Sequence, residues 1–96
     1  MKIVLIAYNE ALDGKVEGIL KKCETDGFTK WTRVYGKGQS SGPHLGTHVW
    51  PKVNNVLAVV TDDDKAESLL ESIRELRNEL AKEGVKAFLL PCEEVT

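Results

Sequence analysis

Long apolar runs are missing from this chain. No stretch approaches the ~18–20 residues that a membrane span requires. The opening Lys2–Ala7 run is too short for the apolar region of a signal peptide plus its cleavage site, and polar residues follow at once. Cysteine is scarce: Cys23 and Cys92 form neither a C-x-x-C motif nor a disulfide framework, and read as two thiols in a reducing cytoplasm. A basic excess is absent too, with 13 Lys+Arg against 15 Asp+Glu and a net charge of -2. That argues against a chain whose main task is to coat nucleic acid. Secreted, membrane-embedded and zinc-finger classes are set aside. What remains is an ordinary globular balance, 42% apolar and 29% charged, over 96 residues, which predicts one domain spanning 1–96.

Hydrophobic periodicity divides the chain into six elements. Lys2 to Tyr8 is a near-continuous apolar run of strand length, ended by Asn9-Glu10. From Ala11 the period becomes helical, with Leu12, Val16, Ile19, Leu20 and Cys23 on one face, and Asp26-Gly27 is expected to close the helix. Thr29 to Tyr35 alternates and is rich in β-branched and aromatic residues, so it predicts a second strand. Val53 to Thr61 predicts a third. Thr61 or Asp62 caps a second helix whose stripe is Ala66, Leu69, Leu70, Ile73, Leu76 and Leu80, with Glu71 and Arg74 at pairing distance on its exposed side. Gly84 ends it, and Val85 to Leu90 is the last strand. The order βαββαβ is the α+β, ferredoxin-like plan: a four-stranded antiparallel sheet with both helices on one face.

In such a two-layer fold the uncovered sheet face meets water, so strands should alternate apolar and polar residues. The first and third do not. Ile3, Leu5 and Ala7 oppose Val4, Ile6 and Tyr8, and Val56, Ala58 and Val60 oppose Leu57 and Val59. An apolar open face of that extent exceeds what soluble monomers tolerate and predicts burial in a homo-oligomer, with the long loop folding back over the face as the alternative.

Charge is unevenly distributed. No Asp or Glu occurs between Asp26 and Asp62, while Lys30, Arg33, Lys37 and Lys52 do, which makes that stretch +4 against -6 for the rest. The second strand and the loop after it therefore form a candidate site for an anion or an acidic partner. The loop, Gly36 to Pro51, carries four glycines able to turn backbone N–H groups towards an anion, and is long for so small a domain. Its glycines match neither G-x-x-x-x-G-K-[ST] nor a dinucleotide G-x-G-x-x-G opening a helix. His44 and His48 sit in it without a nearby Cys, Asp or Glu, so a metal site there would draw further imidazoles from other copies of a symmetric oligomer. Trp31 and Trp50 would stack on a planar ligand or pack on a neighbour. No carboxylate in the loop orients Ser40, Ser41, His44 or His48, which argues against an enzyme.

Several residues carry a resemblance. Gly27-Phe28-Thr29 opens the second strand, Val34-Tyr35-Gly36-Lys37-Gly38 enters the loop, and Pro51-Lys52-Val53 leaves it. Thr61-Asp62-Asp63 then leads into a helix containing Leu69-Leu70-Glu71-Ser72-Ile73. From Gly27 to Ile73 the chain resembles the PII family of signal-transduction proteins. The resemblance implies a homotrimer, ligands in clefts between subunits, and a loop that reports occupancy to a regulated protein such as a membrane transporter. Members of that family bind ATP or ADP with a glycine-rich, basic segment between the second helix and the last strand. Here that connection shrinks to Lys82-Glu83-Gly84-Val85-Lys86. The related trimeric family linked to divalent-cation tolerance shares the architecture.

The sequence thus predicts a cytoplasmic, non-enzymatic, PII-like homotrimer. Its small, anionic ligand would be held by Arg33, Gly36, Lys37, Gly38, Gln39 and Ser40 at the foot of loop 36–51, with an adenine nucleotide as one candidate. Two alternatives stand beside it: a trimer binding a divalent or transition metal through His44 and His48, and a trimer whose loop captures a protein with no small ligand. Neither nucleic acid nor a membrane-embedded segment enters any of the three.

Overall fold

In the computed structural model, which describes residues 1–25, 27–37, 52–81 and 83–96, the elements follow the expected order. They are β1 (Lys2–Asn9), α1 (Asp13–Lys22), β2 (Thr29–Gly36), β3 (Lys52–Thr61), α2 (Asp63–Glu79) and β4 (Val85–Pro91), with a short 3-10 turn, Glu10–Leu12, leading into α1. The sheet order is β2-β3-β1-β4, with all neighbours antiparallel. This is the ferredoxin-like arrangement.

Register assigns each strand residue to a face. Val4 lies opposite Val59 and Leu89, Ile6 opposite Leu57 and Ala87, and Tyr8 opposite Asn55 and Val85. That face takes the helices: Val16 and Leu20 of α1 and Ala66, Leu69, Ile73 and Leu76 of α2 are buried against it. Each fully buried Leu or Ile contributes ~1.5–3 kcal/mol by leaving water. The other face pairs Ile3 with Val60 and Leu90, Leu5 with Ala58 and Phe88, and Ala7 with Val56 and Lys86. Trp31 of β2 joins it opposite Val56. Among the described residues no helix covers this face, and Trp31 and Phe88 are each 50% exposed.

Helix ends follow local chemistry. Asp62 caps α2 by accepting the Lys65 N–H at 2.8 Å, and Asp63 and Asp64 occupy the positive end of its dipole. Glu71 pairs with Arg74 at 2.9 Å on the exposed side, a contact that adds little there. One helix end differs from expectation. The left-handed residue that closes α1 is Glu24, at φ 57°, after a Cys23 C-cap, so Gly27 is not the stop. Thr25 takes over instead: its N–H and hydroxyl both donate to the Leu20 carbonyl, at 3.0 and 2.9 Å.

A polar cluster joins the layers where apolar contact runs out. The Tyr8 hydroxyl donates to Asp13 Oδ1 at 2.5 Å, and Asn55 Nδ2 donates to the same oxygen at 3.1 Å. Lys30, reaching up from β2, meets Asp13 at 2.9 Å and also pairs with Glu17, one helical turn on. The Tyr8 hydroxyl and the Lys30 ammonium together hold the Asp13 carboxyl below its ordinary range. Glu17 and then Asp13 push the Lys30 ammonium up. Burial first, and then the bond to Asp13, push the Tyr8 hydroxyl up to about 12.

The sign of the Tyr8 effect is fixed by linkage. An unfolded tyrosine releases its proton near its ordinary value of 10.0, while the folded one keeps it to about 12. Its stabilisation is therefore complete below the lower value and fades as pH rises through the higher one, by up to ~2–3 kcal/mol. Urea titrations across this range should show wild type losing stability faster than Tyr8→Phe. Parallel losses would show that the hydroxyl is not held as described.

Candidate functional site

The long loop leaves the sheet at one end, and register shows what surrounds its root. Gly36, the last residue of β2, lies opposite Lys52, the first of β3. Asn54 sits between Val34 on one side and Asn9 on the other. At the same end β4 begins with Val85 opposite Tyr8, and α2 arrives with its carbonyl end. The root of the loop thus shares this end of the molecule with the α2–β4 turn.

β2 is an edge strand and is not regular. Pairing with β3 shifts between Trp31 and Val34, and Arg33 there has φ 57°, a left-handed backbone in a residue other than glycine. The bulge puts Trp31 and Val34 on the same sheet face although three residues separate them. Arg33 and Lys37 flank the strand's last turns as exposed cations, and among the described residues neither is held in an ion pair. Lys30 belongs to the same acid-free stretch but differs: the α1 carboxylates neutralise it, so the positive field at the loop root comes from fewer groups than the sequence suggests.

Gly36 is small for a reason of packing. A Cβ placed there would lie 2.7 Å from Asn54 Nδ2, well inside van der Waals contact. Its φ is not in the left-handed region, where the only described glycine is Gly84. Asn54 is a residue that sequence reasoning missed, since a polar residue at the start of a strand carries no periodic signal. The polar cluster of Tyr8, Asp13, Glu17, Lys30 and Asn55 was missed as well. Its one sequence signal is the i, i+4 spacing of Asp13 and Glu17 on α1, facing a strand lysine.

On the far side of this end the α2–β4 turn is closed. The Glu83 N–H donates to the Leu80 carbonyl at 3.1 Å, and the Asn9 N–H donates to the Gly84 carbonyl at 2.8 Å. Gly84 adopts φ 83°, and a Cβ on it would meet Leu12 Cδ1 at 3.3 Å. A shallow groove lined by Cys23, Glu24, Asp64, Lys65, Ser68 and Ser72 lies on the helix layer at the opposite end, away from the loop.

Of the site residues expected from sequence, the structure brings Arg33, Gly36 and Lys37 together on β2 and its exit. Gly38, Gln39, Ser40, His44 and His48 lie outside the described residues, as does Trp50. Among the described residues no cluster of three or more His, Cys, Asp or Glu is arranged to hold a metal, and no helix is long and apolar enough to cross a membrane.

Comparison with known proteins follows this geometry. The family model described as nitrogen regulatory protein P-II matches residues 1–96. No curated protein matches the chain. Among solved structures, CPII from Thiomonas intermedia K12 bound to ADP, AMP and acetate aligns with a TM-score of 0.70 at 15% identity, over 93% of this chain and 82% of that one. The same protein bound to ADP and bicarbonate gives 0.70 at 19% identity, over 92% and 81%. Its apo form, described as a nitrogen regulatory PII-like protein, gives 0.69 at 12% identity, over 92% and 84%. At these identities the structural likeness shows the fold.

The close approach at the loop root makes a prediction about the fold's tolerance. Gly36→Ala should cost about 1–3 kcal/mol by denaturant unfolding, because the new methyl displaces the Asn54 amide. In an Asn54→Ala background the same change should cost less than half as much. Equal costs in both backgrounds would mean that the contact does not constrain Gly36.

Proposed function

Because the chain belongs to the nitrogen regulatory protein P-II family along residues 1–96, we propose that it is a non-enzymatic regulator. In this reading one domain, assembled as a homotrimer, senses a small anionic ligand in the clefts between subunits. The carrying observation is the loop root: two exposed cations, Arg33 and Lys37, with no ion pair among the described residues, flank a glycine pressed against Asn54. A free cation beside compact backbone is suited to bind an anion. Gly36 would supply backbone polarity and Lys37 charge, with Gly38, Gln39 and Ser40 continuing the contact into the loop and Arg33 adding a second cation.

The open face of the sheet supports the trimer. Ile3, Leu5, Val60, Phe88 and Leu90 form a continuous apolar surface that no helix among the described residues covers, and its burial against other copies would remove it from water. Burial of that face brings subunit edges together and makes clefts beside the loop roots. Loop 36–51, rooted at the cleft, would then report occupancy to a partner protein, with a membrane transporter as one class. The two free thiols, Cys23 and Cys92, are compatible with a reducing cytoplasm.

CPII has been solved with ADP, AMP and acetate and with ADP and bicarbonate, which makes these the probes of choice. Titration with ADP in bicarbonate buffer should show Lys37→Glu binding at least tenfold more weakly than wild type, with Lys37→Arg in between or unchanged. Equal affinity for the three proteins would remove the loop root as the ligand site.

A further inference from the structure

The two helices are held by different means. α2 buries Ala66, Leu69, Ile73 and Leu76, and the Asp62 side chain caps it. α1 fully buries only Val16 and Leu20, and Leu12 at its N-terminus provides no side-chain cap. Two of its ten residues are glycines, Gly14 and Gly18. Both are exposed, neither has a positive φ, and a Cβ at either would meet nothing within 4 Å. Neither packing nor backbone conformation therefore requires glycine at these positions. Their effect is to weaken the helix, because glycine loses more conformational freedom on folding than any other residue. A helix of this length and composition does not persist alone and depends on what it docks against.

Part of that docking is an ionic tie to the edge of the sheet. Asp13 and Glu17, one turn apart on α1, both pair with the Lys30 ammonium. Lys30 sits on the helix-facing side of β2, opposite Leu57. None of the eight residues of β2 is fully buried, so apolar packing does little to fix this strand to the helix layer. The Lys30 side chain is 19% exposed, but those of Asp13 and Glu17 are 37% and 43% exposed. Dissolved ions thus reach the tie from its carboxylate side and screen it.

We infer that α1 and the first half of β2, Thr29–Trp31, form one unit that opens while the rest of the fold stays packed. Lys30 is its latch, and dissolved ions favour the open form. In that form Leu69, Ile73 and Leu76 of α2 remain against the sheet, and β2 keeps only its pairing with β3 on both sides of the bulge. The latch therefore sets how firmly the strand that carries the long loop is held. Such sub-global opening is expected where one element has few buried residues and poor local propensity.

Hydrogen exchange of the full chain, followed by mass spectrometry, tests the inference. Gly18→Ala fills open space and strengthens α1. It should slow exchange of α1 and of the protected amides in Thr29–Trp31 by the same factor, about three- to fivefold, and leave α2 unchanged. Lys30→Met should speed both segments by at least about threefold, again without moving α2. Raising sodium chloride from about 0.05 to about 0.5 M should speed both segments in the wild type and neither in Lys30→Met. Equal slowing of α2 by Gly18→Ala would mean that only the whole fold opens, which overturns the inference. Slowing of α1 without Thr29–Trp31 would separate the two segments and overturn their coupling. Exchange in Lys30→Met that matches wild type removes the latch, and a wild type indifferent to salt removes its sensitivity to ions. Should Lys30→Met fail to fold, Gly18→Ala and the salt series on wild type still decide between these outcomes.

Discussion

β1 and β3 are apolar on both faces, and the described helices cover only one. Val4, Ile6, Leu57 and Val59 disappear beneath α1 and α2, but Ile3, Leu5, Ala58 and Val60 alternate with them on the other side. A sheet with that pattern is not complete as one copy. Every other feature is arranged around this constraint. The strands that carry polar or charged residues, β2 and the start of β4, lie at the sheet edges, where an assembly would leave clefts. The long loop departs from one of those edges.

Within a subunit, the edge strand β2 is attached in an unusual way. Its helix-facing positions carry Lys30 and the exposed Tyr35 rather than core residues. The attachment is electrostatic, through Asp13 and Glu17 of α1, with Tyr8 and Asn55 completing the Asp13 shell. A partly buried carboxylate that accepts three donors is well satisfied; losing Tyr8 or Asn55 would leave part of it without a hydrogen-bond partner, and losing Lys30 would leave its charge uncompensated. The cluster anchors the first half of β2 firmly. Beyond the bulge at Arg33 the strand is held by the pairing of Val34, Tyr35 and Gly36 with Asn54, Val53 and Lys52. The bulge therefore divides β2 into a half anchored to α1 by side chains and a half held by β3 alone.

Much of this was legible in the sequence, for reasons that can be stated. Both helix stripes, the Asp62 cap and the two-sided strands all follow from periodicity, because burial is what periodicity records. The Glu71–Arg74 pair follows from helical spacing. Features set by particular side-chain geometry were not legible. The bulge is hidden because Thr29 to Tyr35 alternates without a glycine or proline to mark it, and Arg33 takes the left-handed backbone itself. For the same reason Glu24, not Gly27, stops α1. The local charge of +4 was overread: Lys30 is a structural cation, which only its position opposite α1 reveals. At the candidate site the sequence singled out Arg33, Gly36 and Lys37, but not Asn54, whose amide explains why position 36 has no side chain.

The family match and the fold place the chain in the nitrogen regulatory protein P-II family. The claim on which all of this depends is the burial of the open sheet face. Its most direct test is the mass of the native protein at micromolar concentration, by native mass spectrometry with light scattering as a check. The account predicts a species of three times the 10.6 kDa chain mass. A stable monomer, with Trp31 and Phe88 left in water, would contradict it.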